Sequence, residues 1–210
     1  MIKPSQRVEL ILSLVNGPDV LDVGCAGHVP APGHPGWLHG RLRESFNVIG
    51  IDISEANLAR LKGTGYSKLH VQSAETFSLA QKFDTIVAGE VIEHTANPGQ
   101  FFERARQHLK PGGQLIISTP NVFSIMYYAY ALGRYPKTCQ NGEHCMWYCL
   151  ATLSELAGRY GFTVSQVFHV KDYEPGVESR LSHAFWRISA LISPFLPHRI
   201  LSNTMVFVLL

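Results

Sequence analysis

The run Val20-Leu21-Asp22-Val23-Gly24-Cys25-Ala26-Gly27 constrains this chain more than any other stretch. A short apolar segment with one carboxylate breaks into a turn that carries two glycines. The segment reads as a buried strand, and the glycines let the backbone approach a ligand where a Cβ would collide. A second apolar segment, Val48-Ile49-Gly50-Ile51-Asp52, ends on a carboxylate able to accept from both hydroxyls of a ribose. Strand, glycine turn, helix, strand and terminal carboxylate make the nucleoside-binding half of a doubly wound α/β sheet. The expected ligand is an adenosine-containing cofactor.

Periodicity and punctuation extend this pattern. Residues 4–15 predict a helix, with Val8, Ile11, Leu12 and Val15 on one apolar face and Asn16-Gly17-Pro18 as the stop. Residues 24–36 read as a loop rich in Gly, Pro and His, and residues 37–45 as helical. Ser54 is the expected N-cap of a helix over 55–62. Residues 68–71 and 83–88 read as strands. Asn97 as cap and Pro98 in the first turn open a helix to 109. Lys110-Pro111-Gly112-Gly113 is the expected turn into a strand over 114–118. Residues 152–160 read as a helix, and 163–170 and 204–209 as strands. Strands alternating with helices imply right-handed crossovers and a parallel sheet.

Composition narrows the class. A chain of 210 residues suits one domain with a full core. With 16% charged residues and a net charge of +2, there is no basic footprint for nucleic acid. No apolar run reaches the roughly 18 residues of a spanning helix, and the N-terminal stretch lacks a signal-peptide pattern, so a soluble cytoplasmic protein is expected. Of the cysteines, Cys139, Cys145 and Cys149 lack the paired knuckle of a zinc site and read as buried thiols on a core-facing helix.

Two further segments follow the glycine turn and Asp52: FDTIVAGEVIEHTANP at 83–98 and LKPGGQLIISTPN at 109–121. In this order the four segments resemble class I S-adenosylmethionine-dependent methyltransferases. The branch in question includes the ubiquinone-pathway O-methyltransferases and enzymes that modify glycans and small molecules. The resemblance covers residues 19–121 well. It implies a Rossmann-like, doubly wound seven-stranded sheet ordered 3-2-1-4-5-7-6, the last strand antiparallel, with helices on both faces. It implies a single methyltransferase domain over residues 1–210, with insertions at about 122–150 and 172–202 shaping the acceptor side. Asp22 would then lie near the methionine ammonium, and Gly24, Cys25 and Gly27 would shape the turn under the cofactor. Asp52 would grip the ribose with Ile53 against the adenine, Ala74 and Glu75 would edge the adenine, and Gly89 and Glu90 would lie beneath the methionine. The chain departs from the pattern where Ala26 and His28 replace glycines and Ser73 replaces an adenine-binding aspartate.

Glu90, Glu93 and His94 form E-x-x-E-H, followed by Thr119-Pro120-Asn121 and later by His144. In ubiquinone O-methyltransferases and small-RNA 2′-O-methyltransferases a similar pattern holds a divalent metal. In other relatives the glutamate lies near the cofactor and the histidine lines the acceptor pocket. Two uses stay open. Glu90, Glu93, His94 and His144 could bind magnesium, manganese or zinc. Alternatively His94, with Glu93 and His144, is the catalytic group of a metal-free pocket, and this reading is adopted. The loop with His28, His34 and His39 could supply acceptor contacts through His39 or Trp37, or else it is a proline-stiffened lid of solvated histidines. Tyr127, Tyr128, Tyr130 and Tyr135 are expected to pack a cap over the active site. The apolar run at 185–196 is expected against the domain or a dimer partner, with a membrane or lipidic substrate as the alternative.

The resemblance thus implies S-adenosylmethionine as methyl donor and S-adenosylhomocysteine as product. The acceptor is a small molecule, lipid precursor or glycan, modified at oxygen. An RNA 2′-O-methyltransferase and a non-catalytic cofactor-binding subunit are the competing functions. The near-neutral charge argues against the first, the intact Asp52 and the pocket His and Glu residues against the second.

Overall fold

The structure, a computed structural model, describes residues 6–27, 32–128, 142–171 and 197–210. Its elements run α1 (Gln6–Leu14), β1 (Asp19–Val23), α2 (Leu38–Leu42), β2 (Asn47–Asp52), α3 (Glu55–Gly63), β3 (Leu69–Val71) and β4 (Phe83–Gly89). After a short 3-10 turn (Ile92–His94) come α4 (Pro98–His108), β5 (Leu109–Pro120), α5 (Leu150–Arg159), β6 (Val164–Val170), α6 (His198–Leu201) and β7 (Thr204–Leu209). The seven strands form one sheet in the order β3-β2-β1-β4-β5-β7-β6. β7 runs antiparallel to both β5 and β6, and the other pairings are parallel. This is the expected Rossmann-like α/β architecture.

The two-residue period of the strands sorts the core into two layers. Leu21, Val23, Ile86, Ala88, Leu115 and Ile117 pack against Phe101, Phe102 and Ala105 of α4 and Leu153 and Ala157 of α5. Val20, Val48, Val87, Ile116 and Val206 pack against Val8 and Ile11 of α1 and Leu38 and Leu42 of α2. Each Val, Leu, Ile or Phe among them, fully buried, contributes about 1.5–3 kcal/mol. Because β1, β2 and β4 are parallel neighbours, their carboxyl ends meet at one edge of the sheet. Asp22 is in register with Gly50 and Val87 there, and a ligand crevice belongs at that edge. The opposite edge is closed by Lys110, whose Nζ donates to Asp19 at 2.6 Å and to Asp84 at 3.0 Å.

Several expected local features differ. The Lys110–Gly113 turn is absorbed into a longer β5, with a register irregularity opposite Phe83 and Thr85. A Cβ on Gly113 would sit 3.0 Å from the Asp84 carbonyl oxygen, so glycine is the residue that allows this approach. Asn97 does not cap α4 through its side chain; its Nδ2 donates to Glu75 instead. Cys145 and Cys149 are not core thiols on a helix. Cys145 is exposed, and Cys149 is the half-exposed N-cap of α5. Cys139 lies outside the described residues, as do His28, Tyr130, Tyr135, the 185–196 run, residues 129–141 of the first insertion and residues 172–196 of the second.

Candidate functional site

At the end of β1 the chain turns through Gly24 (φ +76°) and Gly27 (φ +54°). A Cβ on Gly24 would also meet Val91 Cγ2 at 2.5 Å, whereas one on Gly27 would meet nothing within 4 Å. The turn is therefore tight below and open above, a cradle a nucleotide-like ligand can enter. Ala26 has no positive φ, which explains why glycine is dispensable there. Its N–H donates to Asp52 Oδ2 at 2.9 Å, while the N–H of Ser54 donates to Asp52 Oδ1 at 2.8 Å. Two backbone donors thus fix the Asp52 carboxylate at the tip of β2. Next to it, Ile53 is 74% exposed, an apolar face left bare beside the cradle. The Cys25 thiol is buried, and its N–H and C=O bond Ile51 and Trp37, so Cys25 contributes turn shape. Burial pushes that thiol well above the ordinary range.

His39 departs from both expectations. It is neither a solvated lid residue nor open to an acceptor. It sits on α2, buried, with Nδ1 3.0 Å from Asp22 Oδ2. Burial raises Asp22 above the ordinary carboxylate range, and the His39 hydrogen bond opposes that rise. Trp37 donates from Nε1 to the Cys25 carbonyl, and the N–H of Gly36 donates to His34 Nδ1.

Ala74 is half-buried and packs against the core beside the segment that follows β3. The Glu75 carboxylate accepts from the N–H groups of Ala96 and Asn97 and from Asn97 Nδ2. Partial burial would raise Glu75, but the Asn97 and Ala96 donors outweigh it and hold it below its ordinary value. Its carboxylate braces the loop after β4 rather than standing free toward a ligand.

The β4 end is built differently. Glu90 has φ +57°, the one positive value among the described non-glycine residues. Such a conformation costs roughly 1–3 kcal/mol and is held here by its N–H donating to Ser118 O at 3.0 Å. The 3-10 turn that follows buries Glu93, whose Oε2 accepts from Thr119 Oγ1 at 3.0 Å and whose Oε1 has no hydrogen-bond partner. Burial first, then the nearby charge of Glu90, holds Glu93 well above the ordinary carboxylate value. The Glu93 carbonyl accepts from the N–H of Cys145 at 2.8 Å and of Met146 at 3.2 Å. That clamp brings His144 edge-on to His94, with ring centroids 4.7 Å apart. One ligand atom each from Glu93, His94 and His144 all lie within 4.8 Å of one another. The rings of His144, Trp147 and Tyr127 continue the cluster as an edge-to-face wall. Beneath it, burial, with Glu93 nearby, pushes Tyr148 up to about 12.

Arg7 was not anticipated. Its Nη1 reaches from α1 to 3.4 Å from Ser118 Oγ, and lies 3.1 Å from where a Cβ on Gly89 would stand. The guanidinium therefore sits over the end of β4, and its charge favours the anions of both Asp22 and Glu93. The only sequence signal was one cation at the start of an otherwise amphipathic helix.

Comparison with known proteins gives this site its class. A family model described as a methyltransferase domain matches residues 3–167, and the chain belongs to that family. Its sheet order is that of the class I S-adenosylmethionine-dependent methyltransferase fold. The ubiquinone biosynthesis O-methyltransferase of Rickettsia canadensis is 34% identical over 134 residues, covering 59% of this chain and 54% of that protein. The chain thus spans about half the length of the curated relatives it matches. A methyltransferase structure from Archaeoglobus fulgidus superposes with a TM-score of 0.68 at 17% identity, covering 97% of this chain and 90% of that one. The glycopeptide N-methyltransferase MtfA, complexed with S-adenosylmethionine, gives 0.62 at 14% identity, with 97% and 92% covered. At these identities the two structures share the fold alone. Among the described residues no helix is long and apolar enough to cross a membrane.

Proposed function

We propose that this methyltransferase acts on a hydroxyl oxygen of a small-molecule acceptor, with His94 taking the hydroxyl proton. The observation that carries this reading is the convergence of Glu93, His94 and His144 within 4.8 Å beside the end of β4. S-adenosylmethionine supplies a methyl group activated by its sulfonium, so the protein's task is to align an acceptor and remove one proton. Alignment contributes roughly 7–11 kcal/mol in favourable cases and a positioned base about 10²–10⁴-fold. Asp52, fixed by two N–H donors, takes the ribose hydroxyls. Ile53 covers the adenine, Asp22 faces the methionine ammonium, and Arg7 faces the methionine carboxylate. Gly24, Gly27 and Gly89 leave room for the backbone to line the cofactor. His144 orients the ring of His94. Glu93, whose burial favours the neutral carboxyl, presents its unpartnered Oε1 to the acceptor side. The Tyr127–Trp147–His144 wall suits a planar acceptor body. The name of the Rickettsia relative points to oxygen as the atom modified.

A second reading is favoured by the donor set itself. Glu93, His94 and His144, without Glu90, fit a divalent cation, whose role would be to acidify and orient the acceptor hydroxyl.

The test is transfer of labelled methyl into small-molecule, lipid, glycan and RNA fractions, each with and without chelator. Label in the small-molecule fraction, undiminished by chelator, is expected. Label in RNA, or none in any fraction despite cofactor binding, contradicts the proposal. Loss in chelator restored by added divalent metal selects the second reading.

A further inference from the structure

Asp22 and His39 lie sealed behind the glycine turn, at 2% and 1% exposure, joined by the 3.0 Å contact between Oδ2 and Nδ1. Room for the imidazole comes from Gly50, where a Cβ would approach His39 Cε1 to 2.7 Å and Cys25 Sγ to 2.6 Å. The fold has no need of polar groups at this point. Val20 and Val48 on the same face, and Leu38 and Leu42 on the same helix, pack as an ordinary apolar layer. A buried carboxylate–imidazole pair adds little stability, because desolvation offsets the attraction, and an apolar pair of similar volume often does as well. The pair therefore calls for a role in the ligand crevice, which begins two residues after Asp22.

We infer that His39 is a positioning residue for cofactor binding, fixing through Oδ2 the direction in which the Asp22 carboxylate faces the crevice. The inference rests on the proposed role of Asp22 toward the cofactor's ammonium. The charged and titratable groups facing Asp22 are few: Arg7 from α1, Asp52 from β2, Cys25 from the turn and His39 from α2. Arg7 and His39 favour the anion; burial and Asp52 oppose it. Without His39, Asp22 takes up a proton at higher pH, so cofactor affinity falls off earlier as the solution is acidified. Trp37 and Tyr66, with ring centroids 5.6 and 6.1 Å from that of His39, limit the ring's movement and make the geometry definite.

The experiment is calorimetric titration of S-adenosylhomocysteine, across neutral and mildly acidic pH, into the wild type, H39N, H39F and D22N, with thermal melting of each free protein. Asn carries an amide nitrogen close to the place of Nδ1, whereas Phe keeps the ring and removes the donor. H39F is expected to bind about tenfold more weakly, the scale typical of an outer partner that orients a ligand-contacting group. Its melting temperature should fall, because Phe leaves Asp22 buried without its partner, its affinity should fall more steeply with acidification, and H39N should stay within about threefold of wild type. D22N should lose at least as much as H39F. If H39F binds like wild type while D22N is weakened, the inference on His39 is overturned and the role of Asp22 stands. If D22N also binds like wild type, both fall. Should H39F fail to fold, H39Q replaces it, since its longer side chain carries the amide past Asp22. Equal binding by H39Q and H39N would then overturn the inference.

Discussion

At the tip of β2, Asp52 has both carboxylate oxygens held by backbone N–H groups; past the tip of β4, Glu93 is just as inaccessible but has one oxygen with no partner. Asp22 resembles Asp52, with His39 on its Oδ2. Glu93 is flanked by the strained Glu90 and by two histidines in edge contact. One half of the crevice has its charged groups satisfied before any ligand arrives, as suits tight, oriented binding of a fixed partner. The other half keeps unmet capacity where the proposed function has a proton move. Sheet neighbours supply the first half; the second needs a clamp between segments distant in sequence.

The largest effect should come from the satisfied half. Asp52→Ala removes the proposed acceptor for two ribose hydroxyls, at about 1.5–3 kcal/mol each for bonds to a charged group. Calorimetry should show S-adenosylhomocysteine affinity reduced by at least roughly a hundredfold. Unchanged affinity would dissolve the contrast between the halves.

Glu93→Gln should split activity from stability. In the wild type the folded-state pKa is raised above the unfolded value. The folded protein therefore binds more protons in the window between the two, and stability falls as pH rises through that window. Gln carries no such penalty. The variant should melt higher than wild type at pH 8, the gain should vanish as pH falls toward the ordinary glutamate range, and methyl transfer should drop by about tenfold or more. A variant that melts lower at pH 8 would show that Glu93 is a structural anion.

Glu90→Gly relieves the left-handed backbone conformation that Glu90→Ala retains. Chemical denaturation should place the glycine variant about 1 kcal/mol above the alanine variant. The smallest effect is expected at Glu75. Its folded pKa is lowered, so its contribution is present above the ordinary glutamate value and lost as pH falls through the folded one. Glu75→Gln should lower the melting temperature slightly at pH 7, and the difference should close at pH 3.

The strands, the glycine turn and the position of Asp52 were legible because they are local, whereas the strand order followed from the family resemblance. Apolar runs, glycines with positive φ and a carboxylate at a strand end each leave a mark in sequence. Ser54 as N-cap was legible for the same reason, its Oγ accepting from Asn57 N. The long-range pairings were not. His39 looked like one more loop histidine, and only the packing of α2 over Gly50 turns it toward Asp22. Arg7 carried no motif, and its reach to Ser118 spans 111 residues. The E-x-x-E-H pattern and His144 were visible separately, but the Glu93 carbonyl clamp that joins them is a backbone contact without a sequence signature. Lys110-Pro111-Gly112-Gly113 misled because a turn composition was drawn into a bulged strand by its neighbour β4.

The most direct test of the central claim is the single-turnover rate of methyl transfer by His94→Gln, measured on the acceptor fraction the wild type labels, with cofactor saturating. A fall of about a hundredfold is the predicted result, within the range of a lost general base. Transfer at the wild-type rate would contradict the assignment of the proton to His94 and of the acceptor hydroxyl to this cluster.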